Sequence, residues 1–269
     1  RIQKALSEAG VTSRRAAEEM VLQGLITVNG EVVKELPCFV DLATDDVRVD
    51  SRRVRAPERK VYYLLNKPRG VVCTQQDPEG RPRAVDLLAG VDERVFSVGR
   101  LDVDSTGLLV LTNDGELTQR LTHPRYAVMK RYVVEVDGQP DEQAIARMKG
   151  GVYLDGKKTQ RTTVKFLQRS PKRSRLEIGL SEGRNREIRR ILARLGHKVR
   201  RLHRAAIGPV TDRGLKIGKF RRLQADEVRA LRRSAGAAAP PGGRRNKTSQ
   251  PKGKQGKQGK PSNTRSRRS

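Results

Sequence analysis

Residues 97–115 read SVGRLDVDSTGLLVLTNDG, and the interpretation of the whole chain begins from this stretch. Two apolar runs flank a polar turn, which predicts two strands joined by a loop. Gly99 permits a tight bend after the first strand, and the charged residues Arg100 and Asp102 follow it. A guanidinium and a carboxylate are therefore held on a short loop over a rigid base, where functional residues often lie. From local sequence alone, a surface ion pair and a functional site explain this pattern equally well.

The chain is strongly basic, with 58 Lys and Arg residues against 30 Asp and Glu and a formal net charge of +28. The last 35 residues contribute ten of the basic residues and no acidic one, so residues 1–234 still carry +18. Such an excess favours a polyanionic partner, most simply nucleic acid. Hydrophobic residues make up 35% of the chain, which allows one large domain or two smaller ones.

Several other classes of protein are disfavoured by the sequence. Cys38 and Cys73 are the two cysteines, and their spacing fits neither a disulfide framework nor a zinc site. Residues 151–157 have the spacing of a phosphate-binding loop, but Lys158 stands where Ser or Thr would reach magnesium. No apolar run of 18 residues and no signal-peptide pattern occurs. We therefore expect a cytoplasmic protein without a membrane segment or a metal site.

The sequence pattern of residues 1–50 predicts a small RNA-binding module. Apolar residues at helical spacing predict two helices, and Asn29-Gly30 between two β-rich runs predicts a hairpin. This order resembles the RNA-binding module of small-subunit ribosomal protein four. The resemblance implies that Arg14 and Arg15 contact RNA, although residues 1–50 carry a net charge of −3.

Three further segments follow this module. Residues 51–60 are basic and contain a proline, which predicts a linker. Residues 61–234 mix strand-like and helix-like patterns and form a second predicted domain. From residue 235 the chain is rich in Gly, Lys, Gln and Pro, so residues 235–269 are expected to be a disordered basic tail.

Several motifs within the second domain resemble those of the RsuA family of pseudouridine synthases, in the branch of the RluB type. The matching parts are residues 66–70 with 77–82, residues 99–102 with 106–109, Tyr132, and residues 182–190. The resemblance implies an α+β protein in which the small module precedes a mixed, mostly antiparallel sheet with a central cleft. It also implies isomerisation of uridine to pseudouridine, a reaction that requires neither a metal nor an organic cofactor.

The resemblance assigns roles to individual residues. Asp102 matches the essential catalytic aspartate of the family, and Arg189 matches the arginine that pairs with it. Tyr132 matches a tyrosine whose ring lies beside the target base, and Leu202 matches an apolar residue packed against that base. Because the uridine must leave its stack to be reached, Arg100 is placed to fill the vacated space.

A helical wheel separates the arginines of the helix predicted over residues 184–195. Arg186 and Arg190 point away from its apolar stripe, whereas Arg189 lies on the flank of that stripe. We therefore expect Arg186 and Arg190 to form a solvated face that binds RNA, and Arg189 to reach the catalytic acid.

Ribosomal RNA is the expected substrate, free or in a pre-ribosomal particle, with the enzyme acting as a monomer. The amino-acid sequences of residues 77–82 and 182–190 favour a large-subunit (23S) uridine over a small-subunit one. Three other functions stay open at this point. The first is a non-catalytic ribosome-assembly factor, which would not need Asp102, Tyr132 and Arg189 together. The second is a transfer-RNA-directed synthase of the same fold. The third is a general RNA chaperone that acts through the basic tail.

Overall fold

The chain begins with a module of two helices and a four-stranded sheet; the computed structural model describes residues 1–55 and 59–236. The elements are α1 (Ile2–Glu8), α2 (Arg14–Leu22), β1 (Ile26–Val28), β2 (Glu31–Val32), β3 (Val47–Val49) and β4 (Arg52–Arg53). The strand order is β2-β1-β3-β4, and apolar side chains of both helices pack with β1 and β3. The two helices and the hairpin predicted from the sequence are confirmed.

The first module extends beyond residue 50, where the sequence analysis placed the start of a linker. The pair Arg52–Arg53 forms β4 on the edge of the sheet, and Val54 is buried in the core of the module. Both arginines are exposed, so the basic composition of residues 51–60 concealed a strand that is followed by a single buried residue, Val54. The linker prediction is therefore wrong for residues 52–54, and residues 56–58 lie outside the described part of the chain.

The second domain is built on a nine-stranded sheet. Along the chain come β5 (Tyr62–Lys67), β6 (Phe96–Ser97), β7 (Thr106–Thr112), α3 (Gly115–Thr122), β8 (Lys130–Asp137), α4 (Glu142–Gly150), β9 (Tyr153–Leu154), β10 (Lys157–Lys158), β11 (Thr163–Gln168), β12 (Arg173–Leu180), α5 (Glu187–Arg194), β13 (Val199–Ile207), β14 (Val210–Thr211), β15 (Phe220–Arg222) and α6 (Ala225–Ser234). The main order is β11-β12-β8-β13-β7-β5-β15, with β6 paired to β7 and β14 to β13. The predicted mixed, mostly antiparallel sheet is confirmed.

Strands β9 and β10 form a separate two-stranded hairpin that turns at Asp155-Gly156. This hairpin occupies the stretch that has the spacing of a phosphate-binding loop. Because a strand, β10, follows the turn where such a loop requires a helix, residues 151–157 do not form a phosphate-binding loop.

Helix α5 packs on the face of the sheet formed by β8, β12 and β13. Its apolar stripe, which includes Ile188 and Ile191, shares one core with the inward residues of these strands. Burial alternates along β8, so Tyr132 and Val134 both face this core. The alternation read from the sequence therefore determines which strand residues can meet α5.

The domain ends slightly later than the sequence analysis expected. Ala235, the first residue of the predicted tail, is fully buried in a cluster with Leu117 and Leu231. The prediction of disorder is therefore wrong for Ala235, and residues 237–269 lie outside the described range. Within residues 1–55 and 59–236, no helix combines the length and the apolar character needed to cross a membrane.

Strands β7 and β13 are parallel, whereas the other paired strands of the described sheets run antiparallel. Gly107 of β7, whose φ is +113°, lies opposite Arg204 of β13. A Cβ atom at residue 107 would overlap the backbone N and O atoms of Arg204, so only glycine permits this approach. The pairing brings the loop before β7, which carries Asp102, next to the middle of β13.

We expect Gly107→Ala to lower the free energy of unfolding by about 3 kcal/mol or more, because it adds backbone strain to a steric clash. Chemical denaturation measures this change. Gly150→Ala, at the end of α4 where a Cβ meets no other atom within 4 Å, is the control and should be neutral or slightly stabilising. A Gly107→Ala protein within about 1 kcal/mol of wild type would contradict the described pairing of β7 with β13.

Candidate active site

Asp102 lies on the loop between β6 and β7, which is fixed at several points. Gly99 has φ at +73° and makes the bend expected from the sequence. The N–H of Ser105 donates to the Asp102 carbonyl at 3.0 Å and closes the turn. Between them, Leu101 is buried in the core and its N–H lies 3.4 Å from the Cys73 sulfur. The Asp102 side chain is 27% exposed, so a substrate can reach it from solvent.

Two arginines at the start of α5 meet two carboxylates of this loop. For Arg189, Nε lies 3.9 Å from Asp102 Oδ2 and Nη2 lies 3.2 Å from Asp104 Oδ2. For Arg186, Nη1 lies 3.4 Å from both Asp102 Oδ2 and Asp104 Oδ1. Each arginine therefore spans both acids, and Asp104 is the nearer partner of Arg189.

The Arg189 guanidinium is held on the loop rather than on Asp102 alone. Its side chain is 11% exposed, and its Nη2 also donates to the Asp104 carbonyl at 3.4 Å and to Ser105 Oγ at 3.2 Å. Burial lowers the pKa of Arg189, and the negative charges of Asp104 and Asp102 oppose that effect. Its Nε has no hydrogen-bond acceptor among residues 1–55 and 59–236 and lies beside Asp102.

Asp104 is ionised within this cluster. Burial raises the pKa of Asp104, but a hydrogen bond from Arg186 and the positive charges of Arg189 and Arg186 outweigh burial. The pKa of Asp104 is therefore below its ordinary value. From the sequence alone Asp104 is part of a polar turn, but its spacing of two residues from Asp102 is a signal for a second acid on the same loop.

The helical-wheel prediction for Arg186 is wrong. Residue 186 precedes the first helical residue, Glu187, and adopts the left-handed conformation with φ at +48°. A wheel assumes helical backbone angles, so it gives no direction for this side chain, which in the structure contacts Asp102 and Asp104. Arg189 lies within the helix, on the side that faces the loop, as the wheel predicts.

The other basic residues singled out from the sequence lie away from these acids. Arg190 forms an ion pair with Asp155 on the hairpin between β9 and β10, which partly neutralises its charge. Arg14 and Arg15 are exposed in the first turn of α2. A role for these three arginines in binding RNA stays a prediction.

A pocket of about 180 Å³ opens beside Asp102. Its lining includes Arg100, Tyr132 and Leu202, so the residues assigned to the catalytic acid and to base contacts surround one space. Tyr132 and Leu202 are both buried. Arg189 is not part of the lining and contacts Asp102 from behind.

Two cations that the sequence analysis did not select also line this pocket, Lys130 and Arg204. Lys130 precedes Tyr132 by two residues on β8, and Arg204 follows Leu202 by two residues on β13. Residues two apart on a strand share a face, so alternation was the signal that could have identified them. Burial, together with the positive charge of Arg204, lowers the pKa of Lys130 to about 8.

Glu187 is a buried acid at the edge of the same pocket. Its Oε2 accepts a hydrogen bond from the N–H of Arg184 at 3.0 Å, which fixes Glu187 against the turn that precedes α5. Burial, and then the neighbouring carboxylate of Glu182, raise the pKa of Glu187 to about 8. At neutral pH Glu187 is therefore mainly protonated and adds little negative charge to the pocket.

The combined geometry favours a particular kind of chemistry. Apolar side chains and Tyr132 can enclose a flat heterocyclic ring, and Lys130 and Arg204 add hydrogen-bond donors. Asp102 lies at the lining of the same space, where its carboxylate can act as a nucleophile or as a base on the group attached to that ring. The site is therefore suited to reactions of a nucleoside whose base is removed from its stack.

Comparisons with known proteins agree with this geometry. The family model described as RNA pseudouridylate synthase matches residues 61–194, and the model of the S4 domain matches residues 1–36. An RNA pseudouridine synthase of Aquifex aeolicus, itself uncharacterised, is 44% identical over 247 residues, which cover 91% of this chain and 98% of the relative. Ribosomal large subunit pseudouridine synthase B of Bacillus subtilis is 40% identical over 234 residues, covering 86% and 95%.

Solved structures support the same assignment. The protein described as "Crystal structure of pseudouridylate synthase" superposes with a TM-score of 0.63 at 31% identity, covering 86% of this chain and 99% of that one. The similarity thus includes the small N-terminal module as well as the sheet domain with its pocket. The chain belongs to the RNA pseudouridine synthase family, in the form that carries an N-terminal S4 domain.

Proposed function

We propose that this protein converts a uridine of large-subunit ribosomal RNA to pseudouridine, with Asp102 as the catalytic residue. The observation that carries the proposal is the position of Asp102, which lines a base-sized pocket and is held by Arg186 and Arg189. The name of the Bacillus subtilis relative, ribosomal large subunit pseudouridine synthase B, supports large-subunit RNA, and small-subunit RNA is the second candidate. The enzyme acts in the cytoplasm as a monomer, where ribosomal RNA is accessible to it.

The proposed mechanism uses the pocket to separate base from sugar. The uridine leaves its stack, Arg100 fills the vacated space, and the uracil packs between Tyr132 and Leu202. Asp102 acts on the ribose or the base while the N1–C1′ bond breaks, and Arg186 and Arg189 orient its carboxylate. The uracil then turns, C5 bonds to C1′, C5 loses its proton and N1 gains one. The reaction is an isomerisation that needs no other reactant.

Charge supports RNA as the polymer that carries this uridine. Residues 51–234 contain 42 basic and 21 acidic residues, so the net charge of the sheet domain with its flanking segment is +21. Phosphates of RNA are the natural partner for such an excess because their binding releases counterions. The N-terminal module is net acidic, so Arg14 and Arg15 can contribute only a local basic face.

Asp102→Asn should abolish isomerisation while RNA affinity changes by less than about threefold, because the change removes the reacting carboxylate and one charge on a basic surface. The assay is tritium release from large- and small-subunit RNA transcripts labelled with [5-³H]uridine. Asp226→Asn, which alters an exposed acid on α6, is the control and should keep full activity. Appreciable turnover by Asp102→Asn would exclude Asp102 as catalyst, and an inactive wild-type protein would exclude these RNAs as substrates.

Arg189→Ala and Arg186→Ala should both reduce activity, since both guanidinium groups contact Asp102. They should differ in stability. Arg189 is nearly buried and holds two loop acceptors, so its loss is expected to lower the free energy of unfolding by ~3–5 kcal/mol. Arg186 is 43% exposed, and its loss should change that free energy by less than about 1 kcal/mol.

Tritium release and urea denaturation of the two arginine variants test this difference. Arg194→Ala, at an exposed position on the same helix, serves as the control and should resemble wild type in both measurements. Full activity of Arg186→Ala would show that Arg186 does not act on Asp102. Equal stability of the two variants would show that Arg189 is not held by the loop as the structure describes.

Removal of residues 237–269 should weaken RNA binding without changing which nucleotide is modified. This segment contains ten Lys and Arg residues, so the dependence of affinity on salt concentration should become shallower. The truncation keeps Ala235, which is part of the core. Binding measured at several salt concentrations, together with mapping of pseudouridine in treated RNA, tests both expectations. A shifted modification site would show that the removed segment contributes specificity.

A further inference from the structure

Two cations of the pocket, the half-buried Lys130 and the buried Arg204, lack the acidic partners that cations in such positions normally have. Neither lies within ion-pair distance of a carboxylate among the residues that the structure describes. A buried charge without a counterion is costly, and such groups are usually retained for function. The pocket therefore contains positive charge that the protein itself does not neutralise.

Strand geometry places both cations around the position proposed for the uracil base. In the antiparallel pair β8–β13, Arg204 lies opposite Tyr132 and Ile207 lies opposite Lys130. Lys130 and Tyr132 share a face of β8, and Leu202 and Arg204 share the adjoining face of β13. The two cations and the two residues proposed to pack against the uracil are thus neighbours on one surface.

Arg204 is fixed from behind and is left with one free donor group. Arg204 is only 4% exposed. Its Nε donates a hydrogen bond to the Leu108 carbonyl at 2.7 Å, and its Nη1 donates one to the Arg100 carbonyl at 3.5 Å. No group among the described residues accepts a hydrogen bond from its Nη2. Unpaired buried donors are rare in proteins, so Nη2 is a candidate for a contact with a bound molecule.

The pocket favours an anion in spite of the nearby acid. Burial raises the pKa of Glu187 to about 8, so this acid is mainly neutral at pH 7. Lys130, with a pKa lowered to about 8, remains mainly protonated at that pH. The ionisable groups in the lining that face the base therefore add up to a positive environment beside Asp102.

The proposed reaction produces an anion in this position. When the N1–C1′ bond breaks, its electron pair stays with the uracil, and the negative charge spreads over N1, O2 and O4. To present C5 to the sugar, the ring turns about the axis through N3 and C6, which exchanges N1 with C5 and O2 with O4. A pair of fixed donors can thus bind the two carbonyl oxygens before and after the turn.

We propose that Lys130 and Arg204 are further catalytic residues that bind the carbonyl oxygens of the detached uracil and stabilise its negative charge. This inference rests on the proposed isomerisation of uridine. The electron pair that leaves C1′ with N1 returns when C5 bonds to C1′, and the C5 proton is lost as N1 gains one. The two cations therefore act only while the base is free.

Substitution of Lys130 tests this inference, because Arg204 also anchors two backbone carbonyls and its loss would disturb the fold. We expect Lys130→Met to lower kcat for tritium release from a large-subunit RNA transcript by about 100-fold or more. RNA affinity should stay within about twofold, since many other contacts bind the phosphates. Lys130→Arg should restore part of kcat, and Lys165→Met, at an exposed position on β11, is the control.

A modified substrate separates stabilisation of the leaving base from a structural role. Fluorine at C5 withdraws electrons and stabilises the uracil anion, so a transcript with 5-fluorouridine depends less on Lys130. C5 of this base has no proton to lose, so after C5 bonds to C1′ the product is completed by water, which adds OH to C6 and H to N1. The Lys130→Met defect should shrink by about tenfold with this transcript, as measured by mass spectrometry of the rearranged, hydrated nucleoside. A merely structural role would give the same defect with both transcripts.

Each outcome decides between the proposals. A Lys130→Met protein with kcat near that of wild type, or with an equal defect on both transcripts, overturns this inference while wild-type turnover upholds the proposed function. Loss of RNA affinity that accounts for the whole defect also overturns it. If the wild-type protein releases no tritium from transcripts of either ribosomal subunit, the proposed function fails and this inference fails with it.

Discussion

The parallel pairing of β7 with β13 is the constraint on which the site depends. Gly107 permits the two backbones to approach, because any side chain there would overlap Arg204. One consequence is that the loop carrying Asp102 enters the sheet beside Leu202 of β13. Since β13 also pairs with β8, Tyr132 of β8 lies next to both Leu202 and the loop that carries Asp102. Residues that are about 30 and 100 positions from Asp102 in sequence thus line one pocket with it.

Electrostatics then determines what this pocket can do. Asp102 and Asp104 meet Arg186 and Arg189 at the rim, where the charges balance and the carboxylates are oriented. Within the pocket itself, the acid that could balance the cations is mainly protonated. The site therefore joins a neutralised rim with a positive interior. Such a separation is useful for a reaction that moves negative charge from a bond at the rim onto the base.

The sequence predicted what depends on local pattern. The position of Asp102 on a loop between strands and the inward faces of β8 and β13 follow from bends and alternation. Arg186 was misplaced because one left-handed residue makes a helical wheel meaningless there. The strand at residues 52–53 was missed because both of its side chains are exposed. Spacing and alternation place Asp104 beside Asp102 and Lys130 and Arg204 on the faces of Tyr132 and Leu202, but their roles in the site depend on tertiary contacts.

Binding of RNA and selection of one base depend on interactions that act over different distances. The net charge of +21 on residues 51–234 acts over roughly 8 Å at physiological salt and attracts any phosphate backbone alike. It cannot distinguish uridine from cytidine. Discrimination must come from groups in direct contact with the base, and those lie where water is largely excluded and donors are fixed. If Lys130 and Arg204 bind the base as proposed, positive charge on the surface attracts RNA, and positive charge in the pocket contacts the base itself.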